Sequence, residues 1–241
     1  MASLKEIRLA SVYSDMRIWT TQAEAFWDQL QAQGTIYCES SYAQKGNNYL
    51  DRYDWISEQM RRRVGPPPRP EIQYPIWGWK QLGNHKKECR PDYRGWHLID
   101  EQVFLTLEVP EDKVLLSDFD LWGSAVWNYL YIPADKADYK RFSKVQDRLP
   151  LDYENWPEDT KNEVMQSWVR VFDLDHPNFY ATKLRRNRWI QATFWELKKE
   201  WVVDCFPMHD CNPSKGFGPN IVQCVTRPDC RALCERETVV L

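Results

Sequence analysis

The chain has 241 residues, a formal net charge of −3, 43% hydrophobic and 28% charged residues. That length fits one large domain or one domain with a tail, and that balance excludes both a disordered chain and a strongly basic protein that coats nucleic acid. No run reaches the roughly twenty apolar residues that a membrane-spanning helix needs.

Residues 1–15 read as a loose leader. They lack an apolar signal core, so an intracellular, cytoplasmic location is expected. "MRIWTTQ" (16–22) reads as a short strand running into a helix. Thr21 and Glu24 have capping-box spacing, Ala23, Phe26, Trp27 and Leu30 share a face, and Gly34 stops the helix. A second helix starts at Asn47 or Asn48, follows Leu50, Tyr53, Ile56, Met60 and Val64, and ends at Gly65 and three prolines. Its last turn carries Arg61, Arg62 and Arg63. The helix dipole favours cations there, and phosphate contact is the other use of such a triplet.

"YPIWGWKQ" (74–81) is aromatic and extended, and 83–101 is polar and loop-like. "QVFLTLEVP" (102–110) alternates. Val103, Leu105, Leu107 and Val109 point one way and Phe104, Thr106 and Glu108 the other, as in a half-buried strand. "DKVLLSDF" (112–119) makes a further strand. It leads into a helix striped by Trp122, Ala125, Val126 and Tyr129 and closed by Pro133. Residues 134–148 form a short, charged, exposed helix. Pro157, followed by Glu158 and Asp159, opens another that runs through Val164, Trp168, Val171 and Phe172. In 183–206, the consecutive Thr193, Phe194 and Trp195 favour a strand over 189–197. Strands mixed with helices, without regular βαβ alternation, predict an α+β class. The expected unit is a single compact domain over 16–206, with a small mixed or antiparallel sheet flanked by helices. A Cys-containing tail (207–241) packs on it.

Thirteen Trp stand beside twelve Tyr and nine Phe. They build either a core of few bulky side chains or aromatic walls around a ligand. Five of the seven cysteines, Cys205, Cys211, Cys224, Cys230 and Cys234, crowd the end without a C-x2-C knuckle. Reduced thiols, disulfides or a zinc site are open there. The chain has no phosphate-binding loop, no dinucleotide fingerprint, no nucleophile elbow and no H-E-x-x-H, and its four His form no spacing pair.

The chemistry left is carboxylates, aromatics and basic residues. Asp118 and Asp120 end a strand. They are either helix caps or, beside Trp122 and Trp127, an anionic aromatic pocket for a guanidinium or ammonium. Glu196 ends an apolar strand face. It is either solvated at a rim or partly buried, where it would suit general-base work. Gln191 and Arg17 are its natural polar neighbours if their strands pair. Lys183, Arg185, Arg186 and Arg188, interleaved with Trp189, form either a solvated rim or a track for an RNA backbone.

"MRIWTTQAEAFWDQL", "YDWISEQM", "YPIWGW", "VLLSDFDLW" and "IQATFWELK" occur in this order. Together they resemble an uncharacterised Trp-rich bacterial domain family over roughly residues 16–205. The size, the aromatic content and the Cys-bearing tail also resemble fungal arginine-containing cyclodipeptide synthases, which share that domain. The resemblance implies an enzyme that joins arginine to a second amino acid as a cyclic diketopiperazine. It implies arginyl-tRNA and a second aminoacyl-tRNA as partners, and no cofactor, because the substrates arrive activated.

Under that resemblance Asp118 and Asp120 would hold the guanidinium, with Trp19, Trp77, Trp122 and Gln191 around the substrate. Glu196 would free the attacking amine, and Arg17, Thr20 and Gln22 would donate to the ester carbonyl. Arg61–Arg63 or the 183–188 run would meet the tRNA. Ser117 and Cys205 are nucleophiles with no special warrant. Two other readings fit the motif order. One is an ADP-ribosyltransferase-like enzyme using Arg17 and Glu196 on NAD. The other is a non-catalytic RNA- or peptide-binding module.

Overall fold

A computed structural model describes residues 14–38, 50–82, 102–177 and 189–207. The leader, Asn47, Asn48, the 83–101 segment, Lys183, Arg185, Arg186, Arg188 and the tail cysteines from Cys211 on lie outside the described residues.

The fold is α+β, and its centre is antiparallel. β1 (Asp15–Ala23) pairs along its whole length with β4 (Gln102–Pro110), from Asp15 opposite Pro110 to Ala23 opposite Gln102. β3 (Ile76–Gln81), β5 (Leu115–Asp118), β6 (Ile190–Phe194) and β8 (Val202–Pro207) complete a six-stranded sheet in the order β5-β6-β3-β1-β4-β8. Every neighbouring pair in it is antiparallel. β2 (Thr35–Tyr37) and β7 (Glu196–Lys198) form a separate two-stranded ladder.

β4 was expected to be half-buried, yet Phe104 and Thr106 are buried as well as Val103, Leu105, Leu107 and Val109. The reason is that both faces of the sheet are covered. Ile18, Ile76, Leu105, Leu107, Ala192 and Phe194 pack with Phe26 and Leu30 of α1 (Glu24–Gln33) and with Ile36 and Leu197 of the small ladder. The helical layer covers the other face. It comprises α2 (Leu50–Arg63), α4 (Lys136–Gln146) and α5 (Glu158–Ser167), which runs on into a 3-10 turn at Trp168–Phe172. Ile56 and Met60 of α2 join Leu115, Trp122, Phe142, Val164 and Trp168 in that core. Trp19, Trp122, Trp156, Trp168, Trp195 and Trp201 are all buried, so these six indoles are core material. At roughly 25 cal/mol per Å² of apolar surface, each such ring contributes a few kcal/mol.

α1 ends as expected. Gly34 adopts φ 75° and its N–H closes on the Leu30 carbonyl. Its start differs, because Thr21 is still in β1 and Ala23 caps the helix without a side-chain bond. The helix expected after Asp118 is also different. One turn, α3 (Phe119–Leu121), passes into a π-helical turn at Trp122–Val126, where Trp127 N–H donates to the Trp122 carbonyl at 2.9 Å. The chain then reverses through Tyr129 at φ 56°, a left-handed value that costs a non-glycine residue strain.

The 189–197 strand is broken. Trp195 turns out of β6 into the helical core, and its indole N–H donates to the Gly65 carbonyl at 2.9 Å. Phe194 stays in the sheet core and Glu196 begins β7, so the two ends of "IQATFWELK" belong to different sheets.

Gly78 marks the tightest approach in the sheet. A Cβ there would meet Ile18 Cγ2 at 2.7 Å and the Trp19 carbonyl at 2.9 Å. The backbone oxygen sits in the β1 ladder and has little room to yield. Gly78→Ala should therefore lower stability by about 1–3 kcal/mol. Urea denaturation checks this, and an unchanged midpoint would show that the strands can part.

Candidate functional site

The first turn of α2, Tyr129 beyond the π-helical turn, the 150s loop and α5 line an open cavity of about 780 Å³. Asp51 enters from the first turn of α2. Tyr129 follows the π-helical turn, Asp152, Tyr153 and Glu154 come from the loop, and Glu158 and Lys161 from α5. The positive φ of Tyr129 aims its ring into this space. Its hydroxyl donates to Asp51 Oδ2 at 2.6 Å, and the ring stacks on Tyr153 at 4.2 Å. Behind it, the buried Arg52 guanidinium lies 4.1 Å from the Tyr129 ring centre and donates from Nε to the Val126 carbonyl. Lys161 is occupied, bonding the Glu154 carbonyl at 2.9 Å and the Glu158 carboxylate at 2.8 Å.

Four carboxylates thus face one lysine across a pair of phenol rings. Burial, and then the Asp51 hydrogen bond and charge, push the Tyr129 phenol up to about 12. Burial, followed by Asp51 and Glu158, also raises Tyr153. Both rings stay neutral at ordinary pH, and the net field of the cavity is negative. Such a site suits a guanidinium or ammonium, through carboxylate pairing and ring faces. Among the described residues no group of His, Cys, Asp or Glu is placed to hold a metal ion, and no helix is long and apolar enough to cross a membrane.

The nominated pair Asp118 and Asp120 is not this pocket. The strand ends at Asp118, whose buried carboxylate accepts from Leu121 N–H at 2.9 Å as the cap of α3. Asp120 lies in the helical turn beyond it and is exposed. Its carboxyl is raised above the usual range, first by desolvation and then by the Asp118 charge. The two carboxylates feel each other, but one of them is committed to the backbone. Trp122 is core, packed on Trp77 at 5.2 Å and on Trp55 at 6.0 Å.

Glu196 does not share a face with Ile190, Ala192 and Phe194, because Trp195 breaks the strand. It pairs with Lys198 at 3.2 Å and stands opposite Tyr37 in the small ladder. Gln191 and Arg17 are not neighbours either, since β3 lies between their strands. Arg17 pairs with Glu108 at 2.7 Å, directly across the β1–β4 ladder. Arg17 and Glu196 therefore sit in different sheets.

Thr20 bonds the Trp77 carbonyl and receives Gln22 Nε2, both at 2.8 Å. They alternate with Trp19 and Thr21 and point to the opposite face of β1. Arg61 lies over Trp195, Arg62 bonds Glu58 at 2.7 Å and Arg63 lies over Phe172. The triplet is exposed but already packed on its own helix and on aromatic rims. Cys205 is buried in the sheet core.

Asp51, Tyr129, Asp152, Tyr153 and Glu154 were missed as site residues. They come from distant segments, and their only local sign was an acidic, aromatic composition around 151–159.

A family described as a domain of unknown function (DUF3841) matches residues 17–203, and the chain belongs to that family. No curated protein and no solved structure matches the chain.

Two measurements follow from this geometry. Asp118→Ala should cost about 1 kcal/mol by loss of the cap, whereas Asp118→Asn should keep most of it, as read by urea denaturation. The Tyr129 phenol is held above its ordinary value of 10.0, so its protonated form favours the folded state. That contribution is full below pH 10 and is lost as pH rises towards 12. Wild-type stability should therefore fall more steeply over that range than that of Tyr129→Phe, and parallel curves would contradict the Tyr129–Asp51 hydrogen bond.

Proposed function

We propose that the protein is an aminoacyl-tRNA-dependent cyclodipeptide synthase that joins arginine to a second amino acid. The resemblance of its size, aromatic content and Cys-bearing tail to fungal arginine-containing cyclodipeptide synthases supports this reading. The observation that carries it on the structural side is the acidic cavity walled by Tyr129 and Tyr153. An arginine side chain needs carboxylates for its five N–H donors and a flat surface for its face. Asp51, Asp152 and Glu154 with the tyrosine pair offer both, and they replace Asp118 and Asp120 in that role.

The chemistry balances without ATP or a redox partner. The α-amine of one aminoacyl group attacks the ester carbonyl of the other, forming an amide and releasing one ribose hydroxyl. The free amine of the resulting dipeptidyl ester then attacks the remaining ester. That closes the diketopiperazine and releases the second tRNA. Each amine loses one proton, and each leaving ribose oxygen gains one. Glu196 stands by the Gly65 end of α2, next to Trp195, whereas Asp51 opens that helix about 20 Å away, so the cavity's own carboxylates are the relay for these protons.

Expression in a bacterial host, followed by mass spectrometry of extracts, tests the proposal. Arginine-containing cyclic dipeptides should appear only with the intact chain. The double variant Asp152→Asn, Glu154→Gln should lower their yield about tenfold or more. Both residues are exposed, so stability should stay within about 0.5 kcal/mol of wild type. Absence of any arginine-containing product, in cells and with purified charged tRNA, would refute the assignment.

A further inference from the structure

The face of the main sheet that packs on α2 carries hydrogen-bonding groups that no described residue answers. The register lines them up. Ser117 on β5 stands opposite Gln191 on β6, Gln191 opposite Trp79 on β3, and Trp79 opposite Trp19 on β1. Opposed residues of antiparallel strands share a face, with Cβ atoms about 5 Å apart. Ser117 Oγ, Gln191 Oε1 and Trp19 Nε1 all lack a hydrogen-bond partner. The three residues are only 1%, 8% and 1% exposed. Trp77 Nε1, two residues from Trp79 on the same face, is unanswered as well.

Buried polar atoms in folded proteins are nearly always paired, and each orphan is destabilising. Three in one cross-strand row point to a partner that the described residues do not supply. Their chemistry defines it. An indole N–H only donates, a glutamine Oε1 only accepts and a serine hydroxyl does either. A group that satisfies them presents an acceptor and an N–H donor side by side.

The row borders an aromatic rim. Phe119 and Trp189 continue the β5–β6 ladder, with Phe119 N–H donating to the Trp189 carbonyl at 2.9 Å. Their rings stack at 5.7 Å, and Trp79 meets both edge-on at 5.0 and 5.7 Å. All three rings are partly exposed.

We infer that this end of the sheet binds a nucleobase. The base edge pairs with the adjacent Ser117 and Gln191, and its ring lies against the Trp79, Phe119 and Trp189 group. Nucleobases combine an N–H next to an acceptor with a flat π-face, whereas a sugar lacks the face and a carboxylate lacks the donor. The inference rests on the unanswered buried atoms and not on the reaction proposed above. Under that reaction, the terminal nucleoside of an aminoacyl-tRNA is the occupant.

Calorimetric titration of the full chain with adenosine and with cytidine tests it, with ribose 5-phosphate as a ligand without a base. At least one nucleoside should bind with one site per chain, and ribose 5-phosphate should not. Ser117→Ala and Gln191→Leu should each weaken nucleoside binding about tenfold, while Tm stays the same or rises, since neither removed group has a partner in the free protein. The inference is overturned if no nucleoside binds, if ribose 5-phosphate binds as well as the nucleosides, or if both variants bind as wild type does. A Tm lowered by several degrees in both variants would also overturn it, by showing that these groups stabilise the fold itself. Nucleoside binding is read without turnover, so its failure and a failure to form cyclic dipeptides are separate outcomes.

Discussion

A sheet covered on both faces has no solvated side. Every polar group placed on it must be answered from within the protein, and this constraint organises the molecule. On the α1 face the answer is to carry almost no polar groups. Ile18, Leu105, Leu107, Ala192 and Phe194 make that side apolar, and Gly78 lets β1 and β3 close on it. On the α2 face the composition is different. Thr193 bonds the Leu115 carbonyl and lies 3.3 Å from Met60 Sδ, and Arg17 meets Glu108. Ser117, Gln191 and Trp19 are left unanswered. The two faces thus differ in their polar content.

The helical layer is tied to that surface by aromatic side chains. Trp195 leaves the sheet to bond the Gly65 carbonyl, Trp168 bonds the Leu130 carbonyl, and Trp55 packs against Trp122, Trp168 and Phe172. Trp195 and Trp168 serve twice, as apolar volume and as donors to loop carbonyls. The same layer shapes the acidic cavity. Arg52, buried under Tyr129, ties the π-helical turn to α2, and the Tyr129–Asp51 bond fixes the ring that walls the cavity. A strained residue held by a buried arginine and a short hydrogen bond fits a wall that must keep its position when a ligand enters.

Family membership and fold constrain function only loosely, because a fold hosts many chemistries and sites carry the activity. Two features of this chain differ from ordinary core construction. They are the carboxylate-rich cavity between α2 and α5 and the unanswered row on the sheet. The first faces a positive charge and the second a flat hydrogen-bonding edge. An aminoacyl-tRNA carrying arginine has both.

The sequence by itself determined what depends on neighbours a few residues apart. The alternation of 102–110, the Gly34 stop, the 3.6-residue stripe of α2 and the acidic first turn of α5 are local patterns, and the structure contains them as elements. The α+β class followed from their order, with a mixed or an antiparallel sheet both open. Only the tertiary structure decided which strands adjoin, because pairing depends on which faces must be buried together. That decision put β3 between Arg17 and Gln191, and it let Trp195 split "IQATFWELK" between two sheets to reach a core 130 residues away in sequence. It also spent Asp118 on a helix end, where an unpaired backbone N–H would have been buried. The cavity carboxylates come together only because α2, the π-helical turn and α5 share one hydrophobic core, and no short window of sequence contains that packing.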